Sequence, residues 1–340
     1  MTRKHSRNSR LRQLRLIRLT ALCVAAVLVL VLLITNAAAA RGSRLDVSIP
    51  YQLSYAGSTG AVKGTAGFAD KLVTCEADVG TDQIMLKQAT ERGLLFNLND
   101  QKALYGKDIY KKIYPASITK LMTALICMES ADLTQEVTMR ESDFDLDLYA
   151  QKSELEAGDK ITMEVLLKLL VVYSANDAAM AIARTIGGDV KNFVEMMNTR
   201  AKELGMTGTH FCNPHGLHED DHYTTVYDIY LMLNACYQYP IFTEFAALDI
   251  LQVNVSGTQG ETYFIEKSTD EYITGEYSLP QGIQILASKT GTTDEAGSCL
   301  SLVVQNEYGV PYIAILTGAY NKDDLYGDMS LILNLINADK

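Results

Sequence analysis

Ser117 and Lys120 stand three residues apart in the stretch Tyr114-Pro115-Ala116-Ser117-Ile118-Thr119-Lys120-Leu121-Met122. On a helix that spacing makes two side chains neighbours. A lysine amine beside a serine hydroxyl can take its proton and leave an oxygen able to attack a carbonyl, provided the amine is neutral. An ordinary lysine titrates at about 10.4, so burial and a second cation close by would have to lower it. The pair therefore needs partners from elsewhere in the chain. Taken alone, the pattern reads as a capped amphipathic helix.

Two further polar clusters offer such partners. Ser174-Ala175-Asn176 follows a strongly apolar stretch, and Lys289-Thr290-Gly291 follows a β-branched one. Each alone is ordinary: the first reads as an N-cap before the next helix, the second as a strand end with a turn glycine. Together and in this order, a Ser-x-x-Lys, a Ser-x-Asn and a Lys-Thr-Gly make up a known signature of serine acyl transfer.

The elements that must position them are legible from periodicity. Pro115 suits a helix entry, and Ile118, Leu121, Met122 and Leu125 recur at helical spacing. Residues 93–98 and 101–105 form short apolar runs around an Asn99-Asp100 turn and predict a hairpin. Helices are expected over residues 161–173, 178–186, 190–204 and 325–336, with the last packing on the core. Strands are expected at residues 264–266, 283–288, 299–304 and 312–316. The class is then α+β: one antiparallel sheet drawn from both chain ends and flanked by helices, with a helical lobe at about 117–238 inserted.

Composition permits a large core, since 48% of the 340 residues are hydrophobic and 21% charged. Residues 1–40 hold seven basic groups and no acidic one, so of the total charge of −11 the remainder carries −18. So acidic a body repels polyanions, and no nucleic-acid partner is expected. Residues 19–40 run without a charge for about 33 Å as a helix, against a hydrocarbon core of roughly 30 Å. The basic flank before them places the N-terminus in the cytoplasm and the body outside. Residues 37–40, four alanines, suit a cleaved signal peptide, whereas the length of the run suits an uncleaved anchor, which is the favoured reading. Residues 41–80 read as a spacer and 81–340 as the catalytic domain. Of six cysteines, Cys23 falls in the apolar run and Cys75, Cys127, Cys212, Cys236 and Cys299 are widely spaced, which favours free thiols over a disulfide framework. His210, His215, His218 and His222 match no established metal-ligand spacing. Neither a metal nor another cofactor is expected.

Beyond the three clusters, Phe211-Cys212-Asn213-Pro214-His215-Gly216-Leu217, His222-Tyr223-Thr224-Thr225 and Lys289-Thr290-Gly291-Thr292-Thr293-Asp294-Glu295-Ala296-Gly297 are also in place. From about Ala89 to Gly318 the chain resembles the low-molecular-mass penicillin-binding proteins, the serine-type D-alanyl-D-alanine carboxypeptidases. The resemblance implies the serine DD-peptidase/β-lactamase-like fold, peptidoglycan stem peptides as substrate and β-lactam antibiotics as acylating inhibitors. It implies Ser117 as acylated nucleophile, Lys120 as its base and Ser174 as proton relay to the leaving amine. Asn176 would bind the substrate backbone, and Lys289 and Thr290 its terminal carboxylate, with Gly291 leaving room along the strand edge. The backbone N–H groups of Ser117 and Thr292 would form the oxyanion hole, and His215 would border the pocket. The cell envelope is the implied location, at the outer face of the cytoplasmic membrane or secreted if the apolar segment is cleaved.

Two departures accompany the resemblance. Relatives often carry a carboxylate-binding arginine after the strand that ends near Gly318-Ala319; here Asn321, Lys322, Asp323 and Asp324 follow, and no arginine occurs after Arg200. The sequence also ends at Lys340 without the family's all-β C-terminal domain, which favours the N-terminal segment as tether. A β-lactamase is the alternative enzyme, but no Glu-x-x-x-Asn lies between Asn176 and Lys289, Glu195 to Asn198 being one residue too short. A membrane-tethered penicillin sensor or cell-wall-binding domain is the non-enzymatic alternative.

Overall fold

The computed structural model describes residues 78–257 and 260–338. The anchor or signal segment, and all but the last residues of the spacer, lie outside the described residues.

A five-stranded antiparallel sheet is built from both ends of the described chain. Its order is β2 (Lys102–Lys107), β1 (Arg92–Asn97), β9 (Pro311–Ala319), β8 (Gly297–Gln305) and β7 (Gln284–Thr293). The predicted hairpin is β1–β2, and β1 enters the interior of the sheet by pairing with β9, Leu94 opposite Ile315. Period-two alternation then sorts side chains to two cores. Leu94, Phe96, Ile313 and Ile315 face the helical lobe, while Leu95, Ala314 and Leu316 pack with Met329, Ile332 and Leu333 of the C-terminal helix Lys322–Ala338. Burial on both faces is why Ser298 to Val304 of β8 is buried throughout and reads as one apolar run. Among the described residues β7 pairs only with β8, at the edge of the sheet.

The lobe centres on α1 (Lys120–Ser130), whose first eight residues are all buried, as expected of a helix covered on every side. Around it lie α2 (Met163–Lys168), α3 (Asn176–Gly187), α4 (Val190–Glu203), α5 (Val226–Tyr237) and α6 (Pro240–Ala246).

Three local expectations change. The sheet is not single: β3 (Glu136–Thr138), β4 (Lys160–Thr162), β5 (Ile250–Gly257) and β6 (Gly260–Lys267) form a second, four-stranded one, and residues 264–266 belong to it. The helix expected over 161–173 starts two residues later, because residues 160–162 pair with β3 and β5 and Thr162 then caps α2. That helix also does not run uniformly: after Lys168 it widens into a π turn, Leu169–Tyr173, whose first four side chains are buried. The widening delivers the chain into Ser174 at φ 67°, a left-handed conformation rare for a residue with a side chain.

Candidate active site

Ser117 lies on a 3-10 turn, Ala116–Thr119, that leads directly into α1. The next turn brings Lys120 Nζ to 2.8 Å from Ser117 Oγ. Lys120 is fully buried and has two other partners, Asn176 Oδ1 and the carbonyl oxygen of His215, each at 2.7 Å. Burial, and next the charge of Lys289, hold Lys120 well below its usual value against the opposing pull of Asp177. The partner set fits a neutral amine. Two of the three neighbours can only accept, so once the amine is neutral its two N–H bonds go to them and its lone pair is left to face the Ser117 hydroxyl. Asn176 is oriented for this by donating its own Nδ2 to the Gln151 carbonyl at 3.0 Å.

The other two clusters converge on the same place. Ser174 does not cap α3; Ala175 holds that position without a side-chain cap. Its hydroxyl oxygen accepts instead from Lys289 Nζ at 2.9 Å, and Lys289 also donates to the Thr290 carbonyl at 2.9 Å. Burial lowers Lys289 to about 7, opposed by the charge of Asp270. Gly291 lets β7 press against the nucleophile turn: a Cβ there would meet Ser117 N at 2.9 Å and Ile118 N at 3.1 Å. A cavity of about 520 Å³ is bordered by Ser117, Ser174, Asn176, Thr290, Gly291 and Thr292. A larger groove of about 1100 Å³ meets it at Thr292 and Thr293 but contains none of the serine and lysine pairs.

His215 is not at the rim. It is buried, its imidazole is held neutral by burial at about 3, and its Nδ1 accepts from Leu217 N at 3.1 Å. What reaches Lys120 is its carbonyl. Asn213 shapes the loop that presents it, accepting from Gly216 N at 2.7 Å and donating to the Leu217 carbonyl at 2.9 Å. His222 is also structural, bonded to Thr119 Oγ1 at 2.8 Å and to Cys212 N at 3.1 Å. Lys322 borders the cavity, but its amine is engaged by Glu271. Cys127, Cys212, Cys236 and Cys299 are free thiols, as expected.

This geometry can support attack by a serine oxygen on a carbonyl, with a neutral lysine as base and a second serine–lysine pair for a further proton. The sequence profile described as D-alanyl-D-alanine carboxypeptidase (peptidase S11) matches residues 80–321. The chain belongs to the D-alanyl-D-alanine carboxypeptidase family. It is 32% identical over 239 residues to D-alanyl-D-alanine carboxypeptidase DacF of Bacillus subtilis (strain 168), covering 69% of this chain and 58% of that protein. The chain thus spans less than two thirds of that relative's length. It is also 27% identical over 256 residues to a D-alanyl-D-alanine endopeptidase of Escherichia coli (strain K12), covering 74% and 78%. The fold of this carboxypeptidase-family chain matches the crystal structure of the Streptomyces K15 DD-transpeptidase with a TM-score of 0.68 at 25% identity, covering 75% of this chain and all of that one.

Proposed function

We propose that the protein is a serine-type D-Ala-D-Ala carboxypeptidase that removes the terminal D-alanine of peptidoglycan stem peptides through an acyl-enzyme on Ser117. The observation that carries this is the partner set of Lys120: two obligate acceptors and the Ser117 hydroxyl, around a buried amine held well below its usual value. In the first step Ser117 Oγ bonds to the penultimate D-alanine carbonyl carbon while Lys120 takes the hydroxyl proton. The charge formed on the carbonyl oxygen would be met by the backbone N–H groups of Ser117 and Thr292, donors of a kind worth roughly 3 kcal/mol each. Ser174, bonded to Lys289, would pass a proton to the leaving nitrogen, so that D-alanine departs neutral at its amine and the ester remains on Ser117. Water then hydrolyses the ester.

Asn176, Thr290 and Gly291 border the cavity and would align the peptide. Thr290 would bond its carboxylate, with buried Lys289, bonded to Ser174 and the Thr290 carbonyl, supplying positive charge behind it. β-Lactams would acylate the same serine. Against a β-lactamase stands the placement of Glu195, on an exposed part of α4 and away from the cavity, while Asn198 is spent on the backbone of Phe211. An envelope location follows from the substrate, and tethering through residues 1–40 is part of the same proposal.

Incubation of the purified protein with pentapeptide muropeptides is expected to yield products lighter by one alanine, and a penicillin is expected to give a long-lived adduct on Ser117 by mass spectrometry. Cleavage of cross-links with no alanine loss would replace the reading with an endopeptidase, and rapid penicillin turnover with a β-lactamase. Absence of both alanine release and adduct would overturn acyl transfer altogether.

A further inference from the structure

Among the described residues, no arginine borders the end of the cavity at Thr290, and Lys322 and Lys289 already hold partners. No arginine follows Arg200 in the sequence, Lys322 is engaged by Glu271, and Lys289 already donates to Ser174 and the Thr290 carbonyl. Glu276 borders the same space and adds a negative charge that the Lys322–Glu271 pair does not offset. What the site does present is a second hydroxyl: Thr269 Oγ1 lies 2.5 Å from Thr290 Oγ1, and both residues border the cavity.

Resting on the carboxypeptidase reading, we propose that Thr269 is a substrate-binding residue that, with Thr290, receives the terminal carboxylate of the peptide. In a hydroxyl pair one oxygen donates to the other, and the acceptor keeps its own proton for an outside partner. A carboxylate takes that proton in a charge-assisted bond, and the hydroxyl behind it polarises the one in front.

Thr269 is held in register for this. Its N–H donates to the carbonyl of Val172 at 3.2 Å, in the π turn just before Ser174. The next residue, Asp270, is buried and accepts from the Ser288 hydroxyl on β7, from Tyr272 N at 2.9 Å and from Tyr326 Oη at 3.1 Å. The segment 268–272 therefore joins the Ser174 turn to β7, with consecutive residues meeting Ser288 and Thr290 on either side of Lys289. A binding group on so constrained a backbone needs little reorganisation to receive ligand.

The test uses two acyl-D-alanyl thioesters, one ending in a free carboxylate and the other in its methyl ester. Thr269→Val keeps the side-chain shape and removes the hydroxyl. It is expected to lower kcat/KM for the acid about tenfold, mainly through KM, and to leave the methyl ester unchanged. Thr269→Ser is expected to restore the acid. An equal fall on both esters, or an unchanged acid, would overturn the assignment. Wild-type protein that hydrolyses neither thioester and releases no D-alanine would instead overturn the carboxypeptidase reading, and this one with it.

Discussion

Lys120→Met is expected to reduce turnover and penicillin acylation as far as Ser117→Ala does, by on the order of 10⁴-fold or more, because a nucleophile and its base act as one unit. The amine has no substitute within the site. Lys289, buried as well, is bonded to Ser174 and the Thr290 carbonyl, and the His215 imidazole is held by Leu217 N. Methionine matches the lysine stem in length and enters a position lined by the core of α1, so the variant should remain folded. It leaves Asn176 Oδ1 and the His215 carbonyl without a donor, but it also removes a buried amine. Stopped-flow labelling with a fluorescent penicillin separates this from misfolding, since circular dichroism should be unchanged. Retention of more than a few per cent of the wild-type acylation rate would exclude Lys120 as the base.

The same substitution has a signature in stability. The lysine is held low in the folded protein and titrates near 10.5 when unfolded, so between those values the unfolded chain binds the extra proton. Stability from this group is therefore fully present above the unfolded value and is lost as pH falls towards the folded one. The wild type should gain up to about 1.4 kcal/mol per pH unit from this source between pH 8 and pH 10, and Lys120→Met should lose that slope. Urea unfolding of both proteins across this range measures the difference, and groups distant from residue 120 that are common to both cancel from it.

Gly216→Ala is expected to be the most damaging small substitution near the site. The glycine has φ 89°, and a Cβ on it would sit 1.9 Å from the carbonyl oxygen of Ala116, 2.5 Å from its carbon and 2.8 Å from Thr119 Oγ1. Two of these atoms are backbone of the turn that carries Ser117, so relief requires the loop at 213–217 and the nucleophile turn to separate. That movement withdraws the His215 carbonyl from Lys120. A loss of about 3–5 kcal/mol is expected in urea unfolding, together with at least a hundredfold fall in penicillin acylation. Gly205→Ala is the control: φ is 79° but nothing lies within 4 Å, so only backbone strain is charged against it. Equal stability of the two variants would show that the contact with Ala116 is not what restricts residue 216.

Ser117 and Lys120 stood out as a pair by residue type and a three-residue spacing, whereas Ser174 and Lys289 were marked only by the three-cluster signature and the resemblance. The structure brings the four together, and the β1–β2 hairpin was legible because its turn and apolar runs are local. Gln151 and Asn213 were not, since their work is to orient an amide and a carbonyl contributed by other segments. His215 drew notice for its ring, whereas the group that meets Lys120 is its backbone, which no side-chain pattern announces. Lys160 to Thr162 is too short a strand to show a period, and adjoining apolar residues absorbed it into a helix. β5 was legible in principle: Leu251, Val253 and Val255 alternate inward along it, a clean period of two. Thr269 and Asp270 sit in a polar stretch where pattern is silent, and only the fold sets them against β7.

The pairing of β1 with β9 also fixes a timetable. Leu94 finds its partner in Ile315, more than 200 residues later, so a chain growing from its N-terminus holds the first hairpin without its neighbour until almost the whole catalytic region has been made. Ser117 and Lys120 exist as a local pair long before the strand carrying Lys289 can be locked in place. Assembly of the site is thereby deferred to the end of synthesis, and a chain cut after β8 is expected to bind no penicillin although every residue of the Ser117, Ser174 and Lys289 clusters is present.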